Sequence, residues 1–290
     1  MKRLLQSVLA GFLLIPVLAS AAGRIGIVAA ENCYGDIAQQ IGGSRVEVRS
    51  ILDNPVANPH LFEVTPAVAR AVAGARIVIY NGIGYDPWMP KLLDAARNPQ
   101  RIVIDVGALA GRHPGDNPHI WYDTAAMDMV AARLATVLGT ADPAHRSGYR
   151  HRLVHFEQSM QAVRRQIAAI RHRYTGTPVA ATEPVFGYML SALGMQVHDQ
   201  SFQLAVMNGT EPGAASIATF ENNLRDRRVR LLVYNAQVSQ ALTGRMRHLA
   251  QESGIPVVAV TESEPSGETY QQWIMRELSA VSHALAGGRP

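Results

Sequence analysis

The sequence predicts an α/β protein in which two lobes, each built on a parallel sheet, are joined by a single long rigid helix. Short runs rich in Ile and Val alternate with helical patterns up to residue 141, and the same alternation resumes after residue 176. Between these halves a helical pattern continues without a break over residues 142–174. Alternating strands and helices are typical of a parallel sheet covered by helices on both faces, so two such blocks predict two lobes.

In the first lobe, the strand runs end at turn residues, and Thr65 followed by Pro66 suits a helix N-terminus. The second lobe shows the same alternation, so we expect a first lobe at 23–141, a connecting helix at 142–175 and a second lobe at 176–290. The expected strands are 24–29, 46–52, 76–80, 101–106, 179–182, 195–197, 230–234 and 257–260. The expected helices are 34–41, 66–74, 86–97, 124–138, 185–193, 213–225, 237–253 and 268–285.

The predicted connecting helix has an apolar stripe on one side and a basic face, expected to be solvated, on the other. Apolar residues follow one another at steps of four and three, which keeps them on one helical face. Asp142 is expected to cap its start, with Pro143 at the first helical position. A two-stranded coiled coil is the alternative, but the flanking positions lack its balanced charge pattern. The stripe consists of Tyr149, Leu153, Phe156, Met160, Val163, Ile167, Ile170 and Tyr174.

Residues 1–22 have the composition of a secretory signal peptide. Lys2 and Arg3 precede an apolar run that ends at Leu18, and small residues follow it. A retained membrane anchor is the alternative, but the run is short for a span and contains Pro16. We therefore expect a periplasmic protein with no stable membrane span after cleavage.

Charge and cysteine content argue against two classes, nucleic-acid-binding proteins and proteins built on a disulfide framework. Without Lys2 and Arg3, the chain keeps 25 basic and 23 acidic side chains, a balance too even to predict nucleic-acid binding. Cys33 is the sole cysteine, so no intrachain disulfide is possible. We expect Cys33 to be a small buried apolar residue, with metal ligation as the lesser alternative.

A five-residue phrase occurs twice in the first lobe, as Asn58-Pro59-His60-Leu61-Phe62 and Asn117-Pro118-His119-Ile120-Trp121. Pro stiffens each phrase, Asn can close an Asx-type turn, and the aliphatic and aromatic residues can anchor it in the core. Both phrases lie between a predicted strand and a helix, at the edge of a parallel sheet where ligands bind. Ordinary capping loops with surface histidines are the alternative, but the repetition favours metal ligation by His60 and His119.

The second lobe places acidic residues at equivalent junctions. Glu183 follows one predicted strand, and Glu262 and Glu264 follow another. Each could simply cap a helix, because acids favour helix N-termini. Together with the two imidazoles, two carboxylates would neutralise a divalent cation in a site between the lobes, with N and O ligands that suit Zn²⁺, Mn²⁺ or Fe²⁺. Asp123 and Glu63 could orient an imidazole or, the preferred interpretation, cap helices.

These segments resemble the metal-binding solute-binding proteins of bacterial ABC importers, of the zinc and manganese class. The similarity extends over nearly all of the mature chain, and it implies two α/β lobes joined by a rigid long helix. It is carried by 58–66, by Ile79-Tyr80-Asn81-Gly82 before Trp88, by 117–121, by Glu183-Pro184-Val185-Phe186-Gly187-Tyr188 and by Thr269-Tyr270.

The resemblance implies that His60, His119 and Glu183 are metal ligands. The family's fourth ligand is usually an Asp just after the last strand, where this chain has Thr261-Glu262-Ser263-Glu264; Glu262 fits best, and Glu264 stays open. Several zinc members have His in place of Glu183, whereas manganese or iron members have Glu. A His-rich loop common in zinc members is missing here, which tilts the expected cargo modestly away from zinc.

We therefore expect a non-enzymatic, monomeric receptor that captures Zn²⁺, Mn²⁺ or Fe²⁺ and delivers it to the membrane permease of an ABC importer. A metal-dependent hydrolase, a surface adhesin with a structural metal and a receptor for an organic solute such as a chelate are the alternatives. The chain lacks a His-Glu-x-x-His helix, and four protein ligands would leave little room for catalysis. Only 6% of the residues are aromatic, few for a wide organic-solute cleft.

Overall fold

The computed structural model of the chain describes residues 23–54, 59–238 and 240–287, apart from the side chain of His60. The predicted signal peptide at 1–22 and Asn58 lie outside these residues. In the described ranges, no helix is both long enough and apolar enough to cross a membrane.

The first lobe is built on a four-stranded parallel sheet with the strand order β2-β1-β3-β4. All four strands lie where the sequence predicts them, with ends that shift by at most two residues. The strands are β1 (Ile25–Glu31), β2 (Val46–Leu52), β3 (Ile77–Tyr80) and β4 (Ile102–Asp105). The helices are α1 (Asn32–Gly42), α2 (Pro66–Gly74), α3 (Trp88–Ala95), α4 (Val106–Leu109) and α5 (Thr124–Ala141). The short α4 was not predicted.

The connecting helix α6 (Arg146–Tyr174) has 29 residues and is therefore about 44 Å long. The predicted cap is wrong: α6 begins four residues after Asp142, behind a 3₁₀ turn at Pro143–His145. The Asp142 carboxylate contacts His145 Nδ1 at 2.9 Å and accepts a hydrogen bond from Tyr149 Oη at 2.8 Å. His145 and Tyr149 thus engage the Asp142 carboxylate oxygens, which would otherwise be available to cap a backbone N–H.

The second lobe repeats the topology of the first, with the parallel order β6-β5-β7-β8. Its strands are β5 (Pro178–Ala181), β6 (Gln196–His198), β7 (Leu232–Asn235) and β8 (Val257–Val260). Its helices are α7 (Gly187–Ala192), α8 (Gln200–Met207), α9 (Ala214–Arg225), α10 (Ala241–Glu252) and α11 (Tyr270–Leu285). The unpredicted α8 is one difference. The later start of α10 is another, because Asn235 Oδ1 accepts the N–H of Gln237 in a turn there.

One hydrophobic cluster continues from the first sheet through α5 and α6 into the second lobe. Ile27, Met127, Phe156, Phe186 and Trp273 all belong to it. The apolar stripe of α6 is thus covered by its own chain and is not left for a second helix, which contradicts the coiled-coil alternative.

The C-terminal helix α11 ties the lobes together a second time. Gln271 donates hydrogen bonds to Gln40 Oε1 at 3.0 Å and to Ser159 Oγ at 2.8 Å. Tyr270 Oη donates to the backbone carbonyl of Trp121 at 2.7 Å. Side chains of α11 therefore contact α1, α6 and the loop of the second His phrase.

We predict that Phe156→Ala lowers the free energy of unfolding by about 3–5 kcal/mol, because it leaves a cavity in the core shared by both lobes. Denaturant titration measures this change. The matched control is Val154→Ala on the same helix, which is exposed and should change stability by less than about 0.5 kcal/mol. Equal effects of the two substitutions would contradict the shared core.

Candidate metal centre

The carboxyl edges of the two sheets face each other, and of the four predicted ligands His119 and Glu262 meet between them, with Glu183 joined to Glu262 through Asn235. His119 comes from the first lobe, whereas Glu183 follows β5 and Glu262 follows β8 in the second. All three residues are buried. His119 Nε2 lies 3.5 Å from Glu262 Oε2, so an imidazole of one lobe meets a carboxylate of the other.

The His119 ring is held in one tautomer. Its Nδ1 lies 2.6 Å from Asn117 Oδ1, an atom that can only accept, so Nδ1 carries the proton of the neutral ring. Nε2 then presents a lone pair, and this buried atom makes no hydrogen bond within the described part of the chain. Two ligands about 2.0–2.1 Å from a tetrahedral Zn²⁺ lie roughly 3.4 Å apart. The 3.5 Å between Nε2 and Glu262 Oε2 fits a cation between these atoms.

Asn117 is the residue that orients His119. Its Oδ1 also accepts the backbone N–H of His119 at 3.1 Å, which is the Asx-type turn expected from the phrase. Its Nδ2 donates to the carbonyl of Pro184 at 2.6 Å, which fixes the amide orientation. Asn117 thereby links the His119 loop to the residue that follows Glu183.

The first His phrase forms a 3₁₀ turn at Pro59–Leu61 between β2 and α2, as its position predicts. Thr65 Oγ1 accepts from the N–H of Val68 and caps α2. The side chain of His60 is not described, so its place in the site stays a prediction. The expected core anchor is wrong for Leu61, which is 76% exposed, because this phrase lies at a sheet edge whereas Ile120 and Trp121 lie under the lobe interface. Phe62 packs on Trp88.

Neither Glu183 nor Glu262 caps a helix. Glu183 precedes the 3₁₀ turn Pro184–Phe186 but makes no capping hydrogen bond, and α11 is capped by Thr269 in a capping box with Gln272. The two carboxylates instead share Asn235: its Nδ2 donates to Glu183 Oε2 at 2.7 Å and to Glu262 Oε1 at 2.6 Å. The alternative that these two acids only cap helices is therefore wrong.

Tyr85 holds Glu262 from the opposite lobe. Its Oη donates to Glu262 Oε2 at 2.8 Å. Burial, together with the nearby Glu262 carboxylate, raises the pKa of Tyr85 well above its ordinary value. The phenol therefore stays protonated and remains a donor. The ring also packs edge-on against Trp121, which in turn contacts His119.

Glu264 has a different environment from Glu262. The side chain of Asn32 hydrogen-bonds to the backbone of Glu264. Asn32 Nδ2 donates to the Glu264 carbonyl at 2.7 Å, and Asn32 Oδ1 accepts the Glu264 N–H at 3.0 Å. Burial, with Asp36 and Glu268 nearby, raises the pKa of Glu264 to about 9. A carboxyl that is protonated at neutral pH is a poor metal ligand, because ligation requires the deprotonated form. Of the two acids after β8, Glu262 is the one in contact with His119.

A buried acid also supports the loop that carries Glu262. Tyr122 Oη lies 2.6 Å from the carbonyl of Thr261 and 2.7 Å from Glu277 Oε2. A hydroxyl has one proton and can donate to only one of these oxygens, so a proton on Glu277 completes the second hydrogen bond. Burial raises the pKa of Glu277 to about 7, in agreement with this arrangement.

Other predicted residues have structural roles. Asp123 Oδ1 accepts N–H groups at the start of α5, which confirms the preferred capping role. Cys33 is buried in the main core cluster, as expected of a small apolar residue.

Sequence reasoning did not find Tyr85, Asn117 or Asn235 as site residues. Asn235 ends β7 at the same sheet edge as the acids, a position that could have marked it.

The described side chains form part of a site. Within residues 23–54, 59–238 and 240–287, no three His, Cys, Asp or Glu side chains converge closely enough to hold a metal ion by themselves. The Asn235 amide lies between the two acids, and the imidazole of His60 falls outside the description. His119 and Glu262 thus form the described pair, with Glu183 joined to it through Asn235.

A two-lobed binding protein with an imidazole and carboxylates buried between its lobes is the class that this fold and site define. The chain belongs to the family described as ZnuA, zinc-uptake complex component A, periplasmic, whose match spans residues 27–284. This family of transport components confirms the resemblance predicted from the His phrases.

Relatives and solved structures agree with the family. The manganese ABC transporter substrate-binding lipoprotein PsaA of Streptococcus mitis is 22% identical over 294 residues, 92% of this chain and 91% of that protein. The periplasmic zinc-binding protein TroA of Treponema pallidum has a TM-score of 0.74 at 18% identity, covering 91% of this chain and 99% of that one. FpvC of Pseudomonas aeruginosa, solved with Mn²⁺, has a TM-score of 0.75 at 19% identity, covering 91% and 98%. These structures share the fold of this chain.

We predict that Glu277→Gln removes part of the pH dependence of stability. The folded protein keeps the Glu277 proton up to about pH 7, whereas the unfolded chain loses it near its ordinary pKa of 4.5. The free energy of unfolding of the wild type therefore falls between pH 4.5 and 7, by on the order of 1–3 kcal/mol from this group. In denaturant titrations from pH 4.5 to 8, the free energy of unfolding of the variant should rise relative to that of the wild type as the pH increases.

Glu211→Gln, at an exposed glutamate, is the matched control, and its difference from the wild type should be nearly constant with pH. A difference for Glu277→Gln that is equally constant would contradict the neutral buried carboxyl.

Proposed function

We propose that this protein captures one divalent transition-metal ion outside the cytoplasm and delivers it to the membrane permease of an ABC importer. The observation that carries this function is the arrangement around His119. A buried lone pair on Nε2 faces Glu262 Oε2, while Nδ1 is engaged by Asn117, and a second carboxylate is joined to Glu262 through one amide. Neutral imidazole and carboxylate are the ligand types that Zn²⁺ and Mn²⁺ accept.

The proposed ligands are His60, His119, Glu183 and Glu262. Two neutral imidazoles and two carboxylates balance the charge of a divalent ion, so the loaded site is neutral and its burial is less costly. Zn²⁺ or Mn²⁺ is the proposed cargo, with Fe²⁺ as the third candidate. The relatives named for manganese and for zinc support both of the first two.

The proposed route starts with export through the signal peptide at 1–22. The mature chain then comprises a lobe at 23–141, the connecting helix at 142–175 and a lobe at 176–290, and it acts as a monomer in the periplasm. The family's description as an uptake component supports transport over the metallohydrolase and adhesin alternatives.

We predict that the wild type binds about one Zn²⁺ or Mn²⁺ ion per chain and that His119→Ala weakens binding by at least ~100-fold, because even indirect partners of a ligand contribute 10–100-fold. Titration of the metal-stripped protein with each metal, with metal content measured by mass spectrometry, tests this. The matched control is His151→Ala, an exposed histidine on α6 that should leave binding unchanged. A wild type that binds no metal under any loading would overturn the proposed function.

We also predict that the lobes rotate only slightly when the metal leaves. The core is continuous through α6, and contacts such as Tyr270 to Trp121 and Asn32 to Glu264 join the lobes directly. Release would then proceed through local movement of the ligand loops. Crystal structures and small-angle scattering of loaded and metal-stripped protein measure this, and a large swing of one lobe would contradict it.

A further inference from the structure

Glu277 and Tyr122 form a hydrogen-bond relay behind the loop that carries Glu262. Both side chains are buried. Tyr122 lies in the 3₁₀ turn of the second His phrase, in the first lobe, whereas Glu277 belongs to α11 in the second. The relay therefore brings one group from each lobe against the loop after β8.

Glu277 reaches this loop at two points, directly and through Tyr122. Glu277 Oε1 accepts the backbone N–H of Thr261 at 3.2 Å and the indole N–H of Trp273 at 2.8 Å. Tyr122 Oη lies 2.7 Å from Glu277 Oε2 and 2.6 Å from the carbonyl oxygen of Thr261. This carbonyl belongs to the peptide bond between Thr261 and Glu262, so the contact fixes the backbone next to a proposed ligand.

The two short contacts of the Tyr122 hydroxyl require two protons. Oxygens 2.6–2.7 Å apart form a hydrogen bond only when a proton lies between them. Tyr122 supplies one and keeps it, because burial and the nearby Glu277 raise its pKa well above the ordinary value. The Thr261 carbonyl has no proton to give, so the second comes from the Glu277 carboxyl. Glu277 then donates to Tyr122, and Tyr122 donates to Thr261.

Loss of the Glu277 proton changes this arrangement. Charge-assisted hydrogen bonds are about twice as strong as neutral ones, so Tyr122 then donates to the Glu277 carboxylate. The Thr261 carbonyl is left 2.6 Å from a hydroxyl oxygen with no proton between them, and the two oxygens repel. The direct contact from the Thr261 N–H remains, so the loop is loosened on its carbonyl side, where Glu262 follows.

The groups around Glu277 allow it to hold a proton near neutral pH. Burial raises the pKa of Glu277 to about 7, although the hydrogen bonds that it accepts and the charge of Arg276 lower it in part. Arg276 lies on the same helix and forms an ion pair with Glu268. Tyr122 is the titratable group that faces Glu277 from the first lobe, and Glu262 acts on Tyr122 from the loop.

We propose that Glu277 and Tyr122 are positioning residues for Glu262, and that metal binding is coupled to the proton on Glu277. The protonated relay holds the Thr261 carbonyl, and with it the Glu262 carboxylate that lies 3.5 Å from His119 Nε2. Metal affinity therefore decreases when Glu277 ionises. This inference rests on the proposed function. Its test compares variants at the same pH, so that titrating groups common to both proteins cancel.

Glu277→Gln keeps the relay at every pH, because the amide can donate to Tyr122 and still accept from Thr261. Dissociation constants for Mn²⁺ are measured on the metal-stripped wild type and variant from about pH 6 to about pH 8.5. The ratio of the wild-type constant to that of the variant should be about 1 at the acidic end. It should rise to about 2–10 at the alkaline end, the factor expected for one hydrogen bond. Glu211→Gln, at an exposed glutamate, is the matched control, and its ratio should not change with pH.

Tyr122→Phe removes the donor to Thr261 at every pH. It should bind Mn²⁺ about 2–10-fold more weakly than Glu277→Gln throughout. The wild-type affinity should approach that of Tyr122→Phe as the pH rises, a comparison that remains if Glu277→Gln does not fold. A ratio of wild type to Glu277→Gln that is constant with pH, or a Tyr122→Phe variant that binds as tightly as Glu277→Gln, would overturn the proposal. A wild type without bound metal at any pH would instead overturn the proposed function, so the two failures are distinguishable.

Discussion

The placement of two carboxylates side by side in a buried space is the constraint on which the lobe interface depends. Buried charges cost several kcal/mol each unless donors or counter-charges face them. Glu183 and Glu262 meet this constraint through donors from different elements: Asn235 from β7 for both, and Tyr85 from the opposite lobe for Glu262. The same contacts that make the acids tolerable also fix their positions at the proposed metal site.

Protons are distributed unevenly among the acids around this interface. Glu277 and Glu264 have raised pKa values of about 7 and about 9, because burial disfavours their charged forms. The charge of Arg276 lowers the pKa of Glu277 only in part, because Arg276 forms its described ion pair with Glu268. Negative charge is thereby limited behind the site, while Asn235 donates hydrogen bonds to both Glu183 and Glu262.

The continuous core gives this polar site a stiff frame. Lobes that meet only through a flexible hinge move freely, but here α6 lies in the shared core and α11 contacts both lobes. Packed cores resist continuous deformation because small displacements lose many contacts at once.

Local sequence patterns determined the elements and the candidate ligands. Alternating runs predict both parallel sheets, and the stripe predicts the long helix. The repeated Asn-Pro-His phrase proposes His60 and His119, and position after a strand proposes Glu183 and Glu262, because each of these patterns depends only on near neighbours in the chain. Tertiary structure decided the rest: that Asn117 orients His119, that Asn235 joins the acids, that Glu262 and not Glu264 meets His119, and that Leu61 is exposed. These outcomes depend on how two lobes dock, since they join residues as far apart as Tyr85 and Glu262, and no local pattern encodes such a contact.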